Sequence, residues 1–235
     1  MTANKLKIIA CISMLIDHIG FLLFPRVTWL RWIGRLAMPL FAWFIGEGCR
    51  YTKNRKKYFL QVFGLALFCQ AVYLVNDLLS GGIRLVPLNI LFTFSLSIPL
   101  CCCLLDYRKA PESNANRHRL IGMLLLCCFV NGVCYCSSSL FGVNISIDYW
   151  LPGIILPAWV VLYEDRTKKL VSFSLGLFIF CAALCSELPY IWFSLLTIPL
   201  LCIYNGQRGK AKLKYLFYIF YPLHLAALYG ISILI

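Results

Sequence analysis

Ile8-Ile9-Ala10-Cys11-Ile12-Ser13-Met14-Leu15-Ile16-Asp17-His18-Ile19-Gly20-Phe21-Leu22-Leu23-Phe24 is the stretch on which the fold turns. It is about one membrane span long. It is apolar apart from Ser13 and an acid and a histidine side by side in its middle, Asp17 and His18. Ionisable groups at membrane depth are costly and normally face a protein interior or a water-filled cavity. The pair therefore marks both a membrane helix and a candidate functional position.

The composition supports the membrane reading. Of 235 residues, 61% are hydrophobic and only 13% charged, with a mean hydropathy of +0.81, where soluble domains carry about a quarter charged residues. The longest polar stretch, Asp106 to Arg119, is too short to fold alone, so residues 1–235 are read as a single transmembrane domain. Lys5 and Lys7 before an apolar run resemble a signal peptide. But Asp17 and His18 interrupt that run and no small-residue cleavage site follows, so an uncleaved first helix is expected. The 13 cysteines lie mostly within apolar runs without zinc-like spacing. They read as small apolar residues, and no metal is expected.

The sequence predicts an all-α, polytopic helical bundle with about nine transmembrane helices. The spans are 8–24, 33–51, 58–78, 86–105, 120–136, 147–163, 170–184, 188–204 and 215–233. The net charge of +13 is distributed to match. Of the 22 Lys and Arg residues, 18 fall before span one or after the even-numbered spans. Arg26, Arg31, Arg35 and Arg84 fall elsewhere. By the positive-inside rule the N-terminus is cytoplasmic and the C-terminus outside, and the charge is not a nucleic-acid surface.

With a rise of about 1.5 Å per residue, His18 in span one and His224 in span nine come to similar depths near the bilayer middle. Arg35 lies toward the outer end of span two and Glu47 toward its inner end. Each has a plain structural reading: Arg35 snorkels or pairs with Asp17, and Glu47 beside Gly46 and Gly48 marks a close helix contact. Together, five ionisable groups on spans one, two and nine favour a functional cavity. Asn89, Thr93 and Ser97 recur at i, i+4 and i+8 on one face of span four, suited equally to interhelical hydrogen bonds and to ligand contact. Tyr221 and His224 are i, i+3 neighbours, so the hydroxyl is placed to orient the ring.

The sequence contains no phosphate-binding glycine loop, Ser-His-Asp order, zinc motif or haem motif. A histidine with a nearby carboxylate suits general-base catalysis or proton relay, and Arg35 suits an anionic acceptor or developing negative charge. These residues fit acyl transfer and proton-coupled small-molecule transport equally.

A resemblance separates the two. Lys5-Leu6-Lys7-Ile8-Ile9-Ala10 running into Met14-Leu15-Ile16-Asp17-His18-Ile19-Gly20 resembles the TraX family. So do Ile33-Gly34-Arg35-Leu36-Ala37-Met38-Pro39-Leu40-Phe41-Ala42-Trp43-Phe44-Ile45-Gly46-Glu47-Gly48, Leu88-Asn89-Ile90-Leu91-Phe92-Thr93 and Lys214-Tyr215-Leu216-Phe217-Tyr218-Ile219-Phe220-Tyr221-Pro222-Leu223-His224-Leu225, in the same order. The family takes its name from a conjugation protein that acetylates the N-terminus of F-pilin. It is similar in outline to membrane acyltransferases that use acetyl-CoA. The resemblance implies a multi-pass protein of the bacterial plasma membrane that takes acetyl groups from acetyl-CoA. The acceptor would be a small molecule, a glycan or a pilin-like peptide, with membrane lipid around it and no nucleic acid. It implies catalytic roles for His18, held by Asp17, and for His224 and Arg35, with Glu47, Asn89, Thr93 and Tyr221 as binding residues.

Overall fold

A computed structural model describes residues 1–79, 85–209 and 214–234. Arg84, Lys210 and Lys212, used in the orientation reading, lie outside the described residues. In chain order the elements are α1 (Ala3–Leu22), α2 (Thr28–Gly34), α3 (Ala37–Tyr51), α4 (Arg55–Leu79), β1 (Leu85–Leu88), α5 (Ile90–Lys109), α6 (Asn114–Phe141), β2 (Asn144–Ile147), α7 (Trp150–Ile155), α8 (Ala158–Val161) and α9 (Arg166–Leu184). A 3-10 turn at Ile191–Leu196, α10 (Thr197–Cys202) and α11 (Lys214–Leu234) complete it. The helices gather into two compact units. One comprises Met1–Ala42 with Ser174–Ile235, and the other Trp43–Phe173.

The protein is mostly helical. Among the described residues, four helical segments are long and apolar enough to cross a membrane, Arg55–Val75, Ile90–Lys109, Asn114–Phe141 and Arg166–Leu184. Large apolar side chains stand exposed along α6, among them Ile121, Leu125, Phe129 and Leu140, as a lipid-facing helix requires. Lipid tails are as apolar as leucine, so helices in a bilayer associate through close packing rather than apolar burial. Gly46 illustrates this. A Cβ there would lie 2.6 Å from Val160 Cβ and 2.7 Å from the Pro157 carbonyl oxygen. The buried centre of the second unit is formed by Leu100, Cys127, Cys134, Ile147 and Ile154, packed with Leu96, Trp150 and Ile155. None of the 13 cysteines is in a disulfide, and Cys49, Cys69, Cys101, Cys127 and Cys181 are fully buried.

Four expected spans take a different form. The span at 33–51 is broken between α2 and α3, and the first part starts earlier, at Thr28. The cause is Pro39, which lacks an N–H for the carbonyl of Arg35, four residues back, and whose ring crowds it. The spans at 86–105 and 147–163 each begin as a strand. β1 and β2 pair in parallel, with Leu85 opposite Asn144 and Leu88 opposite Ile147, so the protein is not purely α-helical. Asn144-Ile145-Ser146-Ile147 alternates polar and β-branched residues and is β-prone. The Ile145 N–H donates to Ser137 Oγ at 2.8 Å, which satisfies an edge donor. The residues at 150–161 then form α7 and α8, separated at Leu156 and Pro157. Within the expected span at 188–204, the 3-10 turn and α10 make one short apolar segment, Ile191–Cys202.

In the first unit the N-terminus is tied down. The Met1 amine donates to the Ile203 carbonyl, the Asn205 N–H to the Met1 carbonyl and the Ala3 N–H to the Gln207 carbonyl. These bonds anchor the start of α1, the helix that carries Asp17 and His18.

Candidate active site

The site is built on α1, α2, the α2–α3 turn and α11, all within the first unit. Asp17 is its anchor. Its Oδ2 accepts from Arg31 Nη1 at 2.7 Å and its Oδ1 from Arg35 Nη2 at 2.9 Å. Arg31 Nη1 also donates to the Asp17 carbonyl at 3.0 Å, and Arg35 Nε to the Arg31 carbonyl at 3.3 Å. The Arg35 side chain is only 6% exposed. Three further contacts make this clamp possible. Gly34 lets α2 lie directly on Asp17, because a Cβ there would overlap the carboxylate. Ser13 Oγ donates to the Ile33 carbonyl at 2.5 Å. Ser194 Oγ donates at 3.0 Å to the carbonyl of Arg35, the group that Pro39 leaves without a helical partner. A proline thus frees a backbone oxygen and a serine from a distant segment takes it, fixing the turn from which Arg35 reaches Asp17.

The two histidines expected at one depth do meet. The rings of His18 and His224 have centroids 5.0 Å apart and cross at 69°. Each is held by its own helix. His18 Nδ1 lies 2.8 Å from the Met14 carbonyl and His224 Nδ1 2.9 Å from the Phe220 carbonyl, four residues back in both cases. A carbonyl only accepts, so both Nδ1 atoms carry the proton. A neutral ring held in this way presents Nε2 as a base. His224 Nε2 is buried and has no hydrogen-bond partner among the described residues. A buried polar atom without a partner is uncommon and calls for an explanation. Phe220 stacks on the His224 ring at 4.9 Å and 12°, and Tyr221 meets it edge-on at 5.5 Å.

His18 is therefore oriented by the Met14 carbonyl. The Asp17 carboxylate, expected to hold it, is taken by two arginines. Neighbours in sequence project about 100° apart on a helix, so one faces the arginines and the other α11. Tyr221 packs against His224 as a ring, while the Phe220 carbonyl orients the imidazole.

Glu47, Asn89 and Thr93 belong to the second unit. Glu47 pairs with Lys169 at 3.6 Å, and the Lys169 ammonium lies 5.9 Å from the Trp43 ring centre. Asn89 caps α5 by accepting from the Leu91 N–H at 3.1 Å, and its amide donates to the Ala66 carbonyl and Gln70 Oε1. Thr93 Oγ1 donates to the Asp148 carbonyl at 2.8 Å, and Ser97 Oγ to the Ile154 carbonyl at 2.8 Å. The Asn89–Thr93–Ser97 face makes the interhelical bonds that its spacing allows.

Sequence reasoning missed Arg31, Gly34 and Ser194. Arg31 and Arg35 are i, i+4, a spacing that places both on one helical face once the helix is known to start at Thr28. Ser194 carries no local signal, because its partner lies 159 residues away.

A family model described as "TraX protein" matches residues 2–232. The chain belongs to the TraX family. Its relatives include the "Probable fimbrial assembly protein FimC, serogroup H1" of Dichelobacter nodosus, 27% identical over 97% of this chain and 94% of that protein. The "Uncharacterized protein RP591" of Rickettsia prowazekii (strain Madrid E) is 28% identical over 72% of this chain and 60% of its own length. No solved structure matches. The TraX match takes in every residue of the Asp17 clamp and both histidines.

Proposed function

We propose that this TraX-family protein is a membrane-embedded acetyltransferase, moving an acetyl group from acetyl-CoA to an amine or hydroxyl of a cell-surface acceptor. The observation that carries the reading is the apposed pair His18 and His224, each with Nδ1 tied to backbone and Nε2 left as a base. In this scheme the acceptor nitrogen or oxygen attacks the thioester carbonyl carbon while an imidazole Nε2 takes its proton. The C–S bond breaks, and the proton passes to the departing CoA thiolate. The clamp of one carboxylate and two guanidinium groups carries one net positive charge beside His18, which favours the negative charge that develops on the carbonyl oxygen. A fimbrial subunit is the natural acceptor class, given the printed name of the Dichelobacter relative and the membership in the TraX family. The chain crosses the bacterial inner membrane about nine times with its N-terminus in the cytoplasm, consistent with its basic loops. Proton-coupled transport draws on the same histidines, but Glu47, a candidate proton site for it, is committed to Lys169.

The test supplies labelled acetyl-CoA to vesicles containing the protein and an envelope extract, and follows label into envelope material. His18→Ala and His224→Ala are each expected to lower transfer about 100-fold or more. Full transfer by both variants removes the histidines from the mechanism. Solute movement into proteoliposomes without acetyl-CoA replaces transfer with transport.

A further inference from the structure

The second unit holds a pair of arginines that the acetyl-transfer scheme does not use. Arg50, near the end of α3, donates through Nη2 to the carbonyls of Val161 at 3.0 Å and Tyr163 at 2.7 Å. Arg108, near the end of α5, donates through Nη1 to the same Val161 carbonyl at 2.7 Å. Two guanidinium groups thus stand side by side on one acceptor at the end of α8. Cations commonly cap helix C-termini, and that explains why each arginine visits these carbonyls. It does not explain why two like charges share one oxygen, nor why Arg50 Nε is buried without a partner among the described residues. Compensation by carboxylate is thin. Arg50 meets Glu164 at 3.3 Å, but that side chain is 87% exposed, and exposed pairs contribute little. Asp106 pairs with Arg55, Glu47 with Lys169, and Asp165 caps the first turn of α9.

We propose that Arg50 and Arg108 form a binding site for a phosphate group, presented by a soluble nucleotide-like ligand or by an anionic lipid headgroup. Planar guanidinium groups match phosphate oxygens with paired donors, and a lysine does not. The site stands where α3, α5 and α8 end, a position at which an apolar helical protein meets phosphate-bearing molecules from either source. The proposal goes beyond acetyl transfer, and direct binding measurements separate the two.

The test uses the full-length protein in phosphatidylcholine nanodiscs, titrated with 3′,5′-ADP as the soluble probe. A second arm uses native mass spectrometry to count retained phosphatidylglycerol after mixed-lipid reconstitution. Arg108→Gln is the informative variant, because Arg108 is exposed and makes one hydrogen bond, so the fold tolerates its loss. Arg50→Lys keeps the charge and removes the paired donors. Each is expected to weaken phosphate binding at least tenfold in one arm, with an unchanged melting temperature for Arg108→Gln, while Lys56→Gln has no effect. Loss in the nucleotide arm assigns a soluble ligand, and loss in the lipid arm assigns a headgroup. Binding that is absent from the wild type, or equal in wild type and Arg108→Gln in both arms, overturns the proposal. An inactive protein that still binds phosphate through Arg108 overturns acetyl transfer and leaves the phosphate site standing.

Discussion

Asp17 is the residue on which the candidate site depends, through its partners rather than its neighbour. Its carboxylate holds Arg31 and Arg35, whose side chains are 25% and 6% exposed. Removing one member of a buried charge cluster leaves the others uncompensated, which costs about 3–5 kcal/mol. Asp17→Asn is therefore expected to lower stability toward that range, measured as unfolding in detergent. Arg31→Gln, at the more exposed partner, loses less. Gly34→Ala tests the same seat sterically. Its methyl group would overlap the Asp17 carboxylate, and overpacking of this kind costs about 1–3 kcal/mol. A Gly34→Ala protein as stable as wild type would show that α2 moves freely away from α1.

At the scale of elements, the α2–α3 break is the feature that matters. Pro39 denies the Arg35 carbonyl its helical donor and Ser194 Oγ supplies another. Ser194→Ala leaves that buried oxygen unpaired, with an expected loss of about 1–3 kcal/mol. Pro39→Ala removes the obstacle to a continuous helix. It is expected to keep the protein folded yet cut the proposed acetyl transfer more than tenfold, because Arg35 leaves the turn from which it reaches Asp17. Melting temperature and transfer, measured together, separate the two effects. In the second unit, Glu47→Gln strands the Lys169 charge, whose side chain is 7% exposed. The double variant Glu47→Gln with Lys169→Met is expected to be more stable than Glu47→Gln alone, since it removes the stranded charge as well.

For the whole molecule, the basic loops predict one orientation. Reporter fusions are expected to place the N-terminus in the cytoplasm and the C-terminus outside, and both ends on the same face would overturn the proposed nine-span arrangement. The apolar character of α5, α6 and α9 was legible in the sequence, since long apolar runs fold as helices in lipid whatever their surroundings. The breaks were less legible. Pro157 marks the junction of α7 and α8, yet an alternating stretch such as Asn144–Ile147 becomes a strand only when a second strand pairs with it.

The amino-acid sequence by itself pointed to apolar, membrane-type helices and to His18 and His224 as a pair at similar heights, because hydropathy and helical rise act along the chain. It also named Asp17 and Arg35, since charges in apolar runs stand out. Only the tertiary structure decided which of these groups touch. It turned Asp17 toward Arg31 and Arg35, gave His18 to the Met14 carbonyl, set His18 against His224, and sent Glu47 to Lys169. Those choices depend on a helix break at Arg35, on the absence of a Cβ at Gly34 and on a serine 159 residues away. The break is local and is written in Pro39, but the Gly34 seat and the Ser194 bond join segments far apart in the chain, and local propensity carries no information about such contacts.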